Sequence, residues 1–255
     1  MEMGVRGPDP VAAAHVAGGA SVDRPDPLRT RVFLIRHGAT ERSTEDRFAG
    51  ATDVPLSAVG REQVRRLSLR LAHLSVAAVY SSPLGRCMES ASILAEPHAL
   101  PVVARAVLRE IDHGHWEGMT RTEVERMHGE EYARWEMNPY TFAPAGGETG
   151  LSVTARALPA LLEIVGAHPG QIAIVVSHKA TLRLLLSSLL GFDPRFYRDH
   201  LDQSPAALNV VDFRDDVHAR LTLFNDTSHY AERGLAIPQL PRGDLSKWWD
   251  APGQA

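Results

Sequence analysis

Three short runs along the chain are continuously apolar, save for the leading Arg31, and rich in β-branched residues: RVFLI (31–35), VAAVY (76–80) and IAIVV (172–176). Unbroken runs of this length predict strands covered on both faces, as in the parallel sheet of an α/β protein. Between them the period changes. Val64, Leu67, Leu71 and Leu74 recur at helical spacing behind Ser57, which predicts an amphipathic helix entering near that serine. Ser82-Pro83 predicts another helix start, with the serine as cap and the proline at the first helical position. KATLRLLLSSLLG (179–191) predicts a largely buried helix closed by Gly191, and Leu151 to His168 predicts a further helix kinked at Pro159. NVVDF (209–213) and ARLTLF (219–224) predict two more strands with an antiparallel partner. Together these elements predict an α/β fold, a three-layer sandwich with a mostly parallel central sheet and helices on both faces.

Each of the three buried runs ends in polar residues. Arg36-His37-Gly38 follows the first, Ser81-Ser82-Pro83 with Arg86 the second, and Ser177-His178-Lys179 the third. Ligands of open parallel sheets bind beyond the carboxyl ends of the strands, so these groups are expected on one rim. Two arginines and two histidines converging there make a pocket for an anion, most naturally a phosphoryl group. A planar guanidinium matches phosphate oxygens, and a helix N-terminus at Pro83 is expected to add its dipole.

Composition narrows the remaining choices. A net charge of −4 with both signs interspersed gives no case for nucleic acid or an anionic membrane as partner. No apolar run reaches the length of a bilayer span. The single cysteine, Cys87, excludes an internal disulfide, no Cys/His spacing suits zinc, and a reducing cytoplasm is the expected setting. Residues 1–29 are rich in Ala, Gly and Pro, lack a leucine-rich core, and predict a disordered arm rather than a signal peptide. Residues 231–255 predict an irregular tail. Its Trp248-Trp249 pair is expected to dock on this chain or on a second copy, which leaves a homodimer open.

The motifs LIRHGAT, PLSAVGREQ, SSPLGRCMESA, LREIDHGHWEG, GGET and VVSHKATLR occur in an order that resembles the histidine phosphatase superfamily, the phosphoglycerate-mutase-like proteins. The resemblance covers about residues 30 to 230, read as one domain with a small cap segment at about 111–150 over the site. It implies that His37 is the residue phosphorylated during turnover, with Arg36, Arg86 and His178 around the phosphoryl group. It further implies that Glu110 is the proton donor, with Asp112 the competing carboxylate. No metal and no cofactor is implied.

The chain departs from the family pattern at Ala39, where relatives carry an acidic residue, and at Ser43, where they carry an asparagine and the serine can still donate, less well placed, to a phosphate oxygen of the substrate. It departs again at Lys179, where many carry glycine. Lys179 is one of only two lysines in the chain and stands either against a second anionic group of a substrate or in solvent. EIDHGHWEGM and the segment reading on to GGET resemble metal-independent phosphoserine phosphatases, which brings His113 and His229 near a substrate carboxylate. Tyr132, Trp135, Met137, Tyr140 and Phe142 either cap the pocket or pack in the core. Cys87 is expected to pack rather than react.

The resulting expectation is a metal-independent phosphomonoesterase that acts on a small phosphorylated metabolite through phosphohistidine. A phosphoserine-like compound, a phospho-hydroxy acid or a sugar phosphate would each fit. A phosphoglycerate-type mutase and a non-catalytic phospholigand-binding module are the alternatives.

Overall fold

The computed structural model describes residues 29–42, 47–215 and 218–231. The expectations for residues 1–28, Ser43 and the Trp248-Trp249 tail lie outside them.

All three apolar runs are strands, β1 (Thr30–Arg36), β2 (Val76–Ser81) and β4 (Ile172–Ser177). A short β3 (Val102–Ala104) joins them, and β5 (Leu208–Phe213) and β6 (Ala219–Asp226) complete a six-stranded sheet of order β3-β2-β4-β1-β5-β6. The first four in that order run parallel; β5 pairs antiparallel with β1, and β6 with β5.

Successive side chains on the central strands point to opposite faces, and both faces are apolar. Val32, Leu34, Ala173 and Val175 meet Ala157, Leu161 and Ile164 of α5 (Gly150–Ala167) and Leu182 and Leu185 of α6 (Lys179–Leu190). Phe33, Ile35, Ile174 and Val176 meet Val64, Leu67 and Leu71 of α1 (Ala58–Leu71) and Cys87, Ala91 and Leu94 of α2 (Gly85–Ala95). This double burial is why the strands read as continuous apolar runs. Although Arg156 and Glu163 interrupt it, α5 is long and apolar enough overall to pass for a membrane span, and here its apolar side lies on the sheet.

The caps follow the sequence in part. Ser57 accepts from the Gly60 amide at the head of α1, and Gly191 closes α6 in the left-handed region at φ 70°. Pro159 lies inside α5, which runs as one helix from Gly150 to Ala167. The start of α2 differs from expectation. Its cap position is Leu84, and the Gly85 amide donates to Asp53 Oδ2 at 2.9 Å. A carboxylate from a distant loop therefore occupies the helix end that Ser82-Pro83 was expected to open to a phosphate.

Two short helices, α3 (Arg121–Met127) and α4 (Gly129–Met137), lie between the sheet elements. Trp116, Val124 and Trp135 bury themselves there with Phe48 in a small separate cluster. Four residues, Tyr197–His200, form α7.

Candidate active site

Register brings the three polar strand ends together. Arg36 is opposite Ser177 and Ser81 opposite Val176, the His37 amide donates to the Ser177 carbonyl at 3.1 Å, and the Ser82 amide donates to Val176 O at 3.0 Å. The rings of His37 and His178 stand edge to face with centroids 5.2 Å apart, although 141 residues separate them.

Gly38 lets the chain turn at this point. A Cβ there would lie 2.5 Å from the Gly60 carbonyl oxygen and 2.9 Å from Val64 Cγ2, so the loop after β1 rests directly on the backbone of α1. His37 is buried, and its Nδ1 is 2.8 Å from the Gly38 carbonyl oxygen. A carbonyl only accepts, so Nδ1 carries the hydrogen and Nε2 keeps its lone pair. Burial first, then the charges of Arg36 and Arg86, hold the imidazole pKa well below its ordinary value. His37 is therefore a neutral base with a fixed tautomer.

A cavity of about 780 Å³ opens beside it. Arg36, Arg86, Lys179 and Arg183 line this cavity, joined by Arg42, Arg47, Arg121 and Arg198, against the carboxylates of Glu110, Glu125 and Glu136. Positive charge is in excess. Arg36 is partly buried; its Nη1 donates to Gln203 O at 2.6 Å, while its Nε has no hydrogen-bond partner among the described residues. Burial foremost lowers its pKa to about 10, which leaves it charged near neutrality. Arg86 is held by the carbonyls of Thr52 and Gly50, at 2.7 and 2.9 Å. Arg183 and Lys179 share one carboxylate, Asp202, at 3.0 and 3.7 Å, and Arg183 Nε is a second buried donor without a partner among the described residues.

Glu110 lines the cavity from a buried position. Its Oε1 accepts from the Ile111 amide, the Thr181 amide and the Thr181 hydroxyl, whose one hydrogen is shared with the Arg109 carbonyl, while among the described residues Oε2 accepts from the Ala180 amide alone. The carboxyl group thus sits on the N-terminus of α6. Arg156 and Glu148 hold the segment behind it. Arg156 donates to the carbonyls of Val107, Arg109 and Glu110, and Glu148 accepts from Arg156, Arg109 and the Asp112 amide. Burial pushes the Glu148 carboxyl up, but these bonds, from Arg156 above all, hold its pKa below the ordinary value.

The other expected site residues divide. His178 is fully buried behind His37 rather than on the cavity wall; its Nε2 is 2.7 Å from Ser82 Oγ, and burial foremost lowers its pKa far below the ordinary value. His113 lines the cavity, packed edge-on against Phe48 at 4.7 Å, with its pKa lowered to about 4 chiefly by burial. Lys179 lines it too, and burial brings its pKa down to about 8.

Asp112 is not on the wall; its Oδ1 accepts from the Gly114 amide. His229 differs from expectation. The turn after edge strand β6 carries it toward α1, where its ring packs on Tyr230 beside Arg70 and Asp226, both nitrogens without a partner among the described residues. Of the aromatic segment, Tyr132 and Trp135 reach the cavity, Met137 is 79% exposed, and Tyr140 packs with Ile111 and Val153. The Cys87 thiol is buried and its pKa pushed up by that burial, as suits a packing role.

Sequence reasoning did not find Arg183, Arg121, Arg198, Arg156 or Glu148. Only Glu148 carried a local signal, its place in GGET.

Comparison with known proteins agrees with this geometry. Residues 32–227 match the family description "Histidine phosphatase superfamily (branch 1)". Phosphoserine phosphatase 1 of Hydrogenobacter thermophilus is 32% identical over 203 residues, covering 79% of this chain and 95% of the relative. Glucosyl-3-phosphoglycerate phosphatase of Mycolicibacterium vanbaalenii is 33% identical over 174 residues, covering 63% and 74%. Among solved structures, Bacillus stearothermophilus YhfR superposes with a TM-score of 0.73 at 30% identity, over 78% of this chain and 98% of that one.

Proposed function

Because the chain belongs to branch 1 of the histidine phosphatase superfamily, a group of phosphoric monoester hydrolases, we propose that it hydrolyses a small phosphorylated metabolite through a phosphohistidine at His37. The observation that carries this reading is the neutral imidazole of His37, with Nδ1 tied to Gly38 O, standing among buried guanidinium groups. Nε2 attacks phosphorus, the bond from phosphorus to the ester oxygen breaks, and a proton from Glu110 passes to the departing alcohol. Oε2 is the oxygen suited to hold that proton, since Oε1 already accepts three hydrogen bonds. In the second half a water attacks the phosphoryl group on His37, Glu110 takes its proton, and inorganic phosphate leaves.

Charge on the non-bridging oxygens is met by Arg36 and Arg86, which act most strongly as it redistributes in the transition state. Guanidinium groups supply here the positive charge that a metal supplies in other phosphatases, so the chemistry needs no ion. His178 acts through His37, holding its ring from behind.

Lys179 and Arg183, sharing one aspartate, favour a substrate that carries a second anionic group such as a carboxylate. His113, neutral and set among aromatic rings, is suited to a hydrogen bond with the same molecule rather than to a charge. The cytoplasm, where phosphorylated metabolites are held, is the proposed location.

The test is a panel of phosphoserine, phosphoglycerates, sugar phosphates and ethyl phosphate, assayed after removal of metal. The expected product is inorganic phosphate, with kcat/KM at least tenfold higher for carboxylate-bearing esters than for ethyl phosphate. Lys179→Met should erase most of that preference. Isomerised ester without phosphate release would make the protein a mutase. Tight binding without turnover would make it a binding module.

A further inference from the structure

We propose that His115, His128 and Glu131 form a binding site for a divalent transition-metal ion of the zinc class, which ties the Gly114–Trp116 turn to the head of α4. Each residue offers a ligand atom, and these atoms all lie within 4.8 Å of one another. His115 Nε2 is 3.0 Å from Glu131 Oε2, and the two imidazole rings have centroids 4.6 Å apart at 80°. His128 caps α4 and Glu131 follows three positions later, so both lie on one side of the helix start, facing the turn.

The hydrogen bonding of His115 argues for a cation at this point. Its Nδ1 is 3.1 Å from the Ala145 carbonyl oxygen and must carry the hydrogen. In the neutral ring Nε2 therefore turns a lone pair toward a carboxylate oxygen. That oxygen, Glu131 Oε2, is buried and accepts no hydrogen bond among the described residues, so the 3.0 Å contact is not an aligned N–H···O pair. Two electron-rich atoms held this close need positive charge between them. A proton on Nε2 would serve two of the three groups; a metal ion would serve all three.

The geometry suits such an ion. Metal–ligand bonds of about 2.0–2.2 Å at tetrahedral angles put ligand atoms roughly 3.3–3.5 Å apart, and slightly nearer when angles narrow. The His115–Glu131 pair, at 3.0 Å, is slightly inside that spacing, and the ligand atoms as a set, within 4.8 Å of one another, close on an ion by side-chain rotation at the partly exposed rim. A backbone carbonyl on the far nitrogen is the usual outer partner of a metal-bound imidazole. Two imidazoles with one carboxylate favour zinc, nickel or cobalt over magnesium or calcium, with water completing the coordination.

The site lies outside the catalytic cavity but is joined to two of its walls. The turn bearing His115 follows His113, and α4 carries Tyr132, Trp135 and Glu136. A bound ion would hold these walls together without touching the phosphoryl group.

The test uses untagged full-length chain stripped with chelator and titrated with Zn²⁺ against a chromogenic chelator, and separately with Mg²⁺. One equivalent of Zn²⁺ is expected to bind at micromolar affinity or tighter, with Mg²⁺ at least a hundredfold weaker. Glu131→Gln and His128→Ala should each weaken Zn²⁺ binding at least tenfold with circular dichroism unchanged; His37→Ala should not. Zn²⁺ should raise the thermal midpoint of the wild type and leave that of His128→Ala in place. Absence of stoichiometric binding, equal binding by both rim variants, or loss in His37→Ala would overturn the proposal. Because the readout is binding, it stands or falls separately from the phosphatase reading.

Discussion

Glu110→Gln isolates proton transfer from everything else the site does. The substitution keeps the shape, so its cost follows from the four hydrogen bonds to the carboxyl group. With the new carbonyl at the Oε1 position, the bonds from Ile111, Thr181 N and Thr181 Oγ1 survive. The amide NH₂ then confronts the Ala180 N–H, donor against donor. One buried amide loses its acceptor, a stability cost of about 1–3 kcal/mol. That is measurable by urea denaturation and leaves a folded enzyme.

The effect on rate is larger and selective. Loss of a general acid typically slows turnover by about 10²–10⁴, which is roughly 3–5 kcal/mol of barrier. An alkoxide leaving group should show the full loss in kcat/KM. A p-nitrophenolate, which departs without a proton, should lose no more than about tenfold, the remainder of electrostatics and binding being intact. The comparison must use kcat/KM, which reports only the steps up to phosphoryl transfer. In the proposed mechanism hydrolysis of the phosphoenzyme also calls on Glu110, so its loss would slow kcat for both esters. The variant should therefore give a burst of nitrophenol equal to the enzyme concentration, followed by slow turnover. Equal loss of kcat/KM for alkyl and aryl esters, with no burst, would refute the assignment of Glu110.

Two other perturbations test the architecture around the nucleophile. Gly38→Ala places a Cβ 2.5 Å from the Gly60 carbonyl, so it should cost about 1–3 kcal/mol of stability and lower kcat more than it raises KM; wild-type kcat would argue that the loop is free to move. Stability should also fall in mild acid. His37 and His178 are held neutral well below their ordinary pKa of 6.5 and His113 is lowered to about 4, so below about pH 6.5 the unfolded chain binds more protons than the folded one. The urea midpoint should decline steadily from pH 7 to pH 4.5, and a flat profile would contradict the burial of these imidazoles.

Much of the fold was legible because it depends on periodicity. β1, β2 and β4 are covered on both faces by two helices each side, and that demand leaves no polar position inside the runs. Gly191 and Ser57 were legible as local chemistry at helix ends. β3 was not, since three residues give no period. The α3–α4 pair carried a signal that went unused, the Thr120–Glu123 capping box in TRTE.

At the site, the residues on strand ends were legible because a parallel sheet sends its carboxyl ends to one rim. His37, Arg36 and Arg86 meet there as that logic requires; Glu110, beyond any strand end, was legible only through the family resemblance, and His229 was misjudged because the antiparallel edge carries it toward α1. Arg183 could not be foreseen. It stands in the apolar run of α6, and only the three-dimensional approach of Asp202 turns its guanidinium into part of the cavity. The Arg156–Glu148 support of Glu110 likewise depends on the meeting of α5 with a distant loop.

The most direct test of the account is to trap the enzyme during turnover. The protein is mixed with excess p-nitrophenyl phosphate, quenched within milliseconds in mild alkali, where phosphohistidine survives and carboxyl phosphates do not, and mapped by mass spectrometry. The account predicts a single phosphoryl group on His37, formed at the rate of the nitrophenol burst and absent from His37→Ala, which should also release no phosphate. An unmodified His37 during steady turnover, or a His37→Ala variant that still hydrolyses the ester, would contradict it.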